Sequence, residues 1–432
     1  MARILNGAPF DVPGMIASAD EMLGRRFRWV RLLAKRYASA MAGKTRPRLR
    51  TTRQFLIQDG AVSEAWRKHK IRVEQWVTHG PRMQPAPAAS EWDLPRIETS
   101  GDLADWFWIE PGELEWFADL KRLGNKLGVA KLQHYRYLIL KKPNGRLRLI
   151  EMPKRRLKSF QRQILEFILD RIPVHPAAHG FVKGRSIHTF VAPHIGQEVV
   201  LRIDIADFFP AISQERIQAL FRTMGYPEAV SDLLGGICTN AVPYEVWGQT
   251  PEGVDARVRY EARNLYRWAH LPQGAPTSPS LANLCAYRLD CRLAGLANAA
   301  GVRYSRYADD LAFSGGGAFV KNVRRFAVSV GSILQEEGFA ANHRKTRVMR
   351  RGVQQRLTGL VVNERPNVSR EEYDRLKAIL TNCARHGAGS QNREGHAFFR
   401  SHLEGRVGFV EAVNPERGHR LRKILERIDW EE

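Results

Sequence analysis

Apolar positions recur at helical spacing in some stretches of the chain and cluster in short runs in others. Leu23, Phe27, Val30 and Tyr37 fall on one helical stripe, while Arg25, Arg26, Arg28, Arg31, Lys35 and Arg36 fill the positions between. That pattern predicts a basic amphipathic helix. Residues 80–90 are rich in Pro and Ala without apolar periodicity and read as a linker. Beyond them helical and strand patterns alternate, as in a mixed α+β body. Residues 199–205 form a short apolar, β-branched run that predicts a buried strand, and Ser213 is placed to cap the helix carrying Ile217, Leu220 and Phe221. Residues 302–313 read as two short strands around Ala308 and Asp309, a hairpin with acids at its tip. Residues 369–430 return to helical periodicity with scattered basic residues, and no internal repeat interrupts the order.

Composition narrows the class. A chain of 432 residues exceeds one core of ordinary size, so two or more packed units are expected. With 44% hydrophobic and 26% charged residues and no run of about 18 apolar positions, a membrane-spanning protein is not expected. The first ten residues lack the pattern of a secretory signal, so the expected address is the cytoplasm. Cys238, Cys285, Cys291 and Cys383 make no CxxC pair and read as buried thiols. Charge is the informative number. Lys and Arg number 68 against 45 Asp and Glu, a net +23, and residues 1–90 alone hold 17 against 6, a net +11. A surface of that sign gathers polyanions by counterion release, which favours a nucleic acid over an anionic membrane or a merely solvated face.

Candidate chemistry lies in carboxylates. Asp204 ends the strand read at 199–205, and Asp309 and Asp310 sit about a hundred residues later on the hairpin tip. Three converging acids repel unless cations hold them. Magnesium suits oxygen donors shared with substrate phosphates, and two such ions support in-line phosphoryl displacement. Between the two acidic segments lies Leu271-Pro272-Gln273-Gly274-Ala275-Pro276, a turn that allows close backbone approach, with Gln273 able to donate to and accept from a base or sugar.

In order, the segments beginning at Asp204, Leu271, Arg306, His343 and Gln355 resemble the successive palm motifs of reverse transcriptases. Lys141-Lys142-Pro143-Asn144-Gly145 with Arg148 resembles their fingers. The resemblance covers about Leu94 to Trp430 and is nearest to bacterial retron enzymes, through His179-Gly180-Phe181-Val182-Lys183-Gly184-Arg185-Ser186-Ile187, Leu357-Thr358-Gly359, and the stretch from Gly408 to Pro415. Two departures stand out. The Asn-Ala-x-x-His signature of retron enzymes reads Phe190-Val191-Ala192-Pro193-His194 here, and the Val-Thr-Gly signature reads Leu357-Thr358-Gly359.

The resemblance implies a right-hand α+β polymerase with an antiparallel palm sheet: a basic N-terminal extension (1–90), fingers (91–198), palm (199–350) and thumb (351–432). It implies RNA-directed DNA synthesis, with Asp204, Asp309 and Asp310 holding two Mg2+ ions, for which Mn2+ can substitute. Arg148 and Lys142 would clamp the incoming deoxynucleoside triphosphate, Gln273 would touch its base or sugar, and Lys345 would neutralise the leaving pyrophosphate or bind backbone. His194, Arg356, Thr358 and Gly359 would contact RNA, although His194 also reads as a satisfied internal histidine. A cognate structured non-coding RNA, its DNA product and an accessory effector protein in antiphage defence are the implied partners. The alternatives are a non-retron defence-type or group II intron-like reverse transcriptase, or an RNA-synthesising palm enzyme.

The resemblance places Phe209 beneath the incoming sugar, where a bulky ring would reject a 2′-hydroxyl by collision. Phe209→Ala is expected to incorporate ribonucleotides far more readily than wild type in a primer-extension assay. Unchanged sugar discrimination in the folded variant argues against the gate.

Overall fold

The computed structural model describes residues 1–2, 5, 11–42, 47–69, 71–74, 82–123 and 133–430. The chain forms two compact units, each assembled from separate stretches: Met1–Pro173 with Phe209–Cys285, and Val174–Phe208 with Ala286–Glu432.

In the first unit the expected basic helix is divided into two. Helix Val12–Leu23 stops at Gly24, whose φ of 64° makes a left-handed cap, and helix Arg28–Ala40 begins after an extended Phe27. The apolar stripe crosses that break, which is why spacing alone read it as continuous. Val30, Leu33, Ala34 and Tyr37 face inward, leaving the arginines outside. Helices Leu49–Gln58 and Gly60–His69 follow. Charge ties this region to helix Glu228–Cys238: Arg48 donates to Asp232 at 3.1 Å, and the Leu49 amide donates to Glu228 at 2.9 Å.

The described part of the expected linker is hydrogen-bonded, Gln84 N–H donating to the Gly225 carbonyl at 2.9 Å. Gly225, at φ 107°, comes so close that a Cβ would lie 2.4 Å from the Pro85 nitrogen. Ser213 precedes helix Gln214–Thr223 as expected but makes no side-chain cap bond.

Strands β1 (Tyr135–Lys141) and β2 (Leu147–Pro153) form an antiparallel hairpin. Alternation along β2 turns Leu147, Leu149 and Glu151 inward and Arg148 outward. The hairpin's apolar side packs with Val242, Val246, Trp247 and Tyr266. Buried Glu151 is satisfied by Asn240 at 2.7 Å and His270 at 3.0 Å.

The second unit is built on β3 (Val199–Asp204), β4 (Arg303–Tyr307), β5 (Asp310–Gly315) and β6 (Arg347–Arg350), paired antiparallel in the order β4-β5-β3-β6. Adjacent residues of β5 serve opposite faces. Phe313 packs on Phe326 of helix Ala318–Glu336, with ring centroids 5.1 Å apart, while Ala312 joins a core with Phe190, Val191, Val200 and Met349. That second core continues through the small sheet of β7 (Arg356–Leu357), β8 (Leu360–Val361) and β9 (Asn367–Val368). It ends among helices Arg370–His386, Phe399–Val413 and Pro415–Leu425. The helical C-terminal region expected from periodicity is therefore present, and it shares its core with the larger sheet.

His194 is fully buried beside that sheet. Ser305 Oγ gives its proton to the Phe190 carbonyl at 2.9 Å, so it accepts from His194 Nε2–H at 2.7 Å, and His194 Nδ1 accepts from Ser314 Oγ at 2.7 Å. Burial pushes the ring's pKa down to about 3, so it is neutral and Nδ1 is the accepting nitrogen. The expectation of direct RNA contact is corrected on this point: the imidazole has no surface to offer, and both nitrogens are used inside the fold.

Because the unfolded histidine titrates near 6.5, the unfolded state binds a proton that the folded state refuses as pH falls below that value. Stability is lost in that direction, by about 1.4 kcal/mol per pH unit between roughly pH 6 and 4. Urea melts of His194→Gln, compared with wild type at pH 7 and pH 5, are expected to lack this component. Equal pH slopes in the two proteins overturn the neutral, buried assignment.

Candidate active site

Asp204 ends β3 directly opposite Asp310, the first residue of β5. The turn between β4 and β5 is tight, with Ala308 at φ 54°, and the Ile205 amide donates to the Asp309 carbonyl at 2.8 Å. Three acids thus meet at adjoining strand ends. Each has a different environment.

Asp204 is 3% exposed; one oxygen accepts from Asn342 Nδ2 at 2.9 Å and the other from Lys345 Nζ at 2.8 Å. Asp310 is gripped through both oxygens by Arg202, Nε at 2.8 Å and Nη2 at 2.9 Å. Burial raises its pKa and the Arg202 charge opposes that rise. The Asp309 carboxyl is pushed up to about 6, first by burial and then by the negative charges of Asp310 and Asp204.

Among the described residues no three His, Cys, Asp or Glu side chains gather closely enough to form a ready-made metal cage. The repulsion of Asp309 from Asp310 and Asp204 is what a divalent cation would relieve. Asp310 accepts at both oxygens from Arg202 and Asp204 at both of its own from Asn342 and Lys345, so hydrogen bonding sets neither apart as a ligand, and the expectation that all three aspartates ligate is carried forward as a proposal.

The turn is supported from beneath. Arg306, with no exposed surface, donates to Asp290 at 2.8 and 2.6 Å and to the Ala308 carbonyl at 3.2 Å, while Tyr304 also donates to Asp290 at 2.7 Å. Alongside, the His179 amide donates to the Arg306 carbonyl at 2.7 Å. At Gly180 a Cβ would sit 2.6 Å from the Ala308 nitrogen, so only glycine lets this segment lie against the turn. The sequence singles out neither the Arg306–Asp290 pair nor the partners of the site acids, Arg202 on Asp310 and Asn342 on Asp204. Gly180 was noted only as part of a motif. Nothing in the spacing of these residues signals their pairing.

The other expected residues lie on other elements of the chain. Arg148 is exposed on β2, Lys142 closes the β1–β2 turn with its amide donating to the Arg146 carbonyl at 2.7 Å, and Gln273 is half-buried; all three belong to the first unit. The Gln273 carbonyl accepts from the Glu151 amide at 2.9 Å, fixing its loop against β2. Phe208 is buried against Phe339, at 5.6 Å between centroids, whereas Phe209 is half-buried and begins the first unit's second stretch. Thr358 and Gly359, at φ 44° and 92°, make the two-residue turn between β7 and β8. The Thr358 hydroxyl is buried without a hydrogen-bond partner among the described residues, and Arg356 pairs with Glu372 at 2.8 Å. Phe190 and Val191, where retron enzymes carry Asn-Ala, are wholly buried. No helix among the described residues is long and apolar enough to cross a membrane.

An antiparallel sheet that presents aspartates at adjoining strand ends, within an α+β chain, is the arrangement of a polymerase palm. The family model for reverse transcriptase (RNA-dependent DNA polymerase) matches residues 139–372, more than half of the 432. The chain belongs to the reverse transcriptase family, and within it to the bacterial retron type. It is 43% identical over 293 residues to the Retron Mx65 reverse transcriptase of Myxococcus xanthus, covering 67% of this chain and 64% of that one. To the Retron Mx162 reverse transcriptase of the same organism it is 35% identical over 353 residues, covering 78% of this chain and 68% of the relative. The Retron Ec86 reverse transcriptase of Escherichia coli is 32% identical over 297 residues, 68% of this chain and 80% of that one. The chain thus spans just under two thirds of the first of these relatives.

Removing one partner of a buried ion pair leaves a lone charge inside and costs about 3–5 kcal/mol, whereas replacing both with apolar groups is often nearly neutral. Asp290→Leu alone is therefore expected to lower the thermal midpoint sharply, and Asp290→Leu with Arg306→Met to recover most of it. Primer extension in the double variant should stay impaired, because the Ala308 carbonyl has lost its donor. Full extension activity in that stable double variant removes Arg306 from any part in positioning the turn.

Proposed function

We propose that this reverse transcriptase copies part of a cognate structured non-coding RNA into DNA, with Asp204, Asp309 and Asp310 as the metal-holding carboxylates. The observation that carries the reading is the meeting of acids at adjoining strand ends and the turn between them, Asp204 buried and Asp309 and Asp310 half-buried, with Lys345 bonded to Asp204. When bound, two divalent ions, magnesium by the preference of oxygen donors, with manganese able to substitute, would activate the attacking hydroxyl and stabilise the leaving oxygen. The protein's own part is to hold Asp204 rigid through Asn342, to keep Asp310 satisfied by Arg202, and to set the Asp309 turn on Arg306. Lys345, 52% exposed, can release Asp204 and offer its ammonium to the departing pyrophosphate.

Arg148 and Lys142 serve the triphosphate of the incoming deoxynucleotide, Gln273 its base or sugar, and Phe209 the exclusion of ribose. Arg356, Thr358 and Gly359 serve the RNA. The extension, fingers, palm and thumb divide at residues 90, 198 and 350. Synthesis would start from a 2′-hydroxyl of the RNA, beside an accessory effector in antiphage defence, with the cytoplasm as its place of action.

Asp204→Asn and Asp309→Asn should each abolish DNA synthesis and leave RNA affinity nearly intact, since an amide weakens a metal site without changing the basic surface. Primer extension above a hundredth of the wild-type rate in both variants would sink the assignment. Nucleic acid isolated with the protein from its host is expected to carry a 2′,5′ branch sensitive to debranching enzyme; linear DNA alone would reject that priming mode and leave the polymerase standing.

A further inference from the structure

In the first unit, residues 242–268 form a lobe with two faces. Inward, Val246, Trp247, Ala262 and Tyr266 complete the core beneath the β1–β2 hairpin. Outward, Tyr244, Tyr260 and Trp268 stand 68%, 58% and 61% exposed. One exposed aromatic needs no explanation; three in a stretch of this length do. Each has an arginine at its ring: Arg263 lies 5.0 Å from the Tyr244 centroid and 5.5 Å from that of Tyr260, and Arg267 and Arg122 lie 5.2 and 5.4 Å from Trp268. None of these three arginines is in an ion pair among the described residues, whereas neighbouring Arg257 is tied to Glu261 at 3.0 Å. Beside Tyr244 opens a cleft of about 380 Å³ lined by Val242, Tyr244, Arg263, Asn264 and Arg267. Glu245, exposed next to Tyr244, does not line it.

We infer that this cleft binds an unpaired nucleotide of single-stranded nucleic acid, its base on Tyr244 and its phosphates on Arg263 and Arg267. An aromatic face with adjacent guanidinium groups is the chemistry that holds single strands with little sequence preference. A duplex hides its base faces and cannot use the ring. The volume lies at the lower end of the roughly 300–1,000 Å³ typical of small-ligand sites, room for one nucleotide rather than a helix. The Asn264 amide supplies a donor and an acceptor for a base edge. A guanidinium on one face of Tyr244 leaves the other for the base, and no carboxylate in the lining opposes an anion. The inference goes beyond the polymerase assignment and is independent of how synthesis is primed.

The test uses the full-length protein without divalent metal or deoxynucleotides, so its result does not depend on catalysis. A short 4-thiouridine RNA is photocrosslinked and the adducts are mapped by mass spectrometry. Adducts are expected within residues 242–268, and excess unlabelled single-stranded RNA, but not a duplex of equal charge, should suppress them. Tyr244→Ala should reduce adduct yield about tenfold and Tyr244→Phe should restore it. Arg263→Gln with Arg267→Gln should lower affinity about tenfold and shallow the log–log salt dependence by about 1.4, or roughly 0.7 per lost phosphate contact. Thermal melts matching wild type confirm that each variant is folded. No adduct in this lobe, equal suppression by duplex, or equal suppression by polyglutamate, which would make it a general polyanion or acidic-protein surface, each overturns the assignment.

Discussion

Carboxylates buried next to one another repel, and the repulsion grows as water is excluded, so such a group persists only where positive charge and hydrogen-bond donors are supplied beside it. The second unit is organised around that constraint. Asp310 is neutralised by Arg202 one strand away, Asp204 is neutralised by Lys345 and hydrogen-bonded by Asn342, both from the segment just before β6, and Asp309 is left with the repulsion uncompensated by a bidentate partner. The elements that carry these cations, β3 itself and the segment from Asn342 to Thr346, are thereby committed to fixed positions. Below the turn a second ion pair, Arg306 with Asp290, lies wholly out of solvent and ties helix Tyr287–Ala299 to β4. One charge problem at the strand ends is solved in layers, each needing the next.

Much of this was legible in the residues, for reasons that differ by element. The strand ending at Asp204 showed itself through an apolar β-branched run, the acidic hairpin through two short runs around Ala308, and the C-terminal helices through periodicity. These are local signals. The pairing of Arg306 with Asp290 was not legible, because a basic residue before Tyr307 reads as solvated surface until the fold removes the solvent. Nor was the break at Gly24, where the apolar stripe runs on across a glycine that turns the chain left-handed. At His194 the sequence supports both an RNA contact and a satisfied internal histidine, and burial between two serine hydroxyls separates them. Arg202 looked like the polar position of an alternating strand, whereas its reach to Asp310 depends on the register of β3 against β5.

The departures from retron signatures find a physical setting in the same way. Phe190 and Val191 belong to a core shared by the larger sheet and the last helices, where apolar side chains pack and an amide would need partners. The His that follows keeps its place because Ser305 and Ser314 hold it. Leu357 is likewise buried in that core, so the exchange of one aliphatic residue for another is absorbed by packing.

Strand order has a further consequence, in time rather than in space. Strand β3 is internal to the sheet, with β5 on one side and β6 on the other, yet it is the first of the four to leave the ribosome. Its first partner begins at Asp310, about a hundred residues later, and the whole 209–285 stretch of the other unit is made in between. At roughly 5–20 residues per second, a strand reading Val199-Val200-Leu201 waits about 5–20 s with both edges unpaired. Such an interval invites pairing with the wrong strand or a neighbouring chain, and Arg202 and Asp204, the two charged residues of the strand, are what resists it before Asp310 arrives.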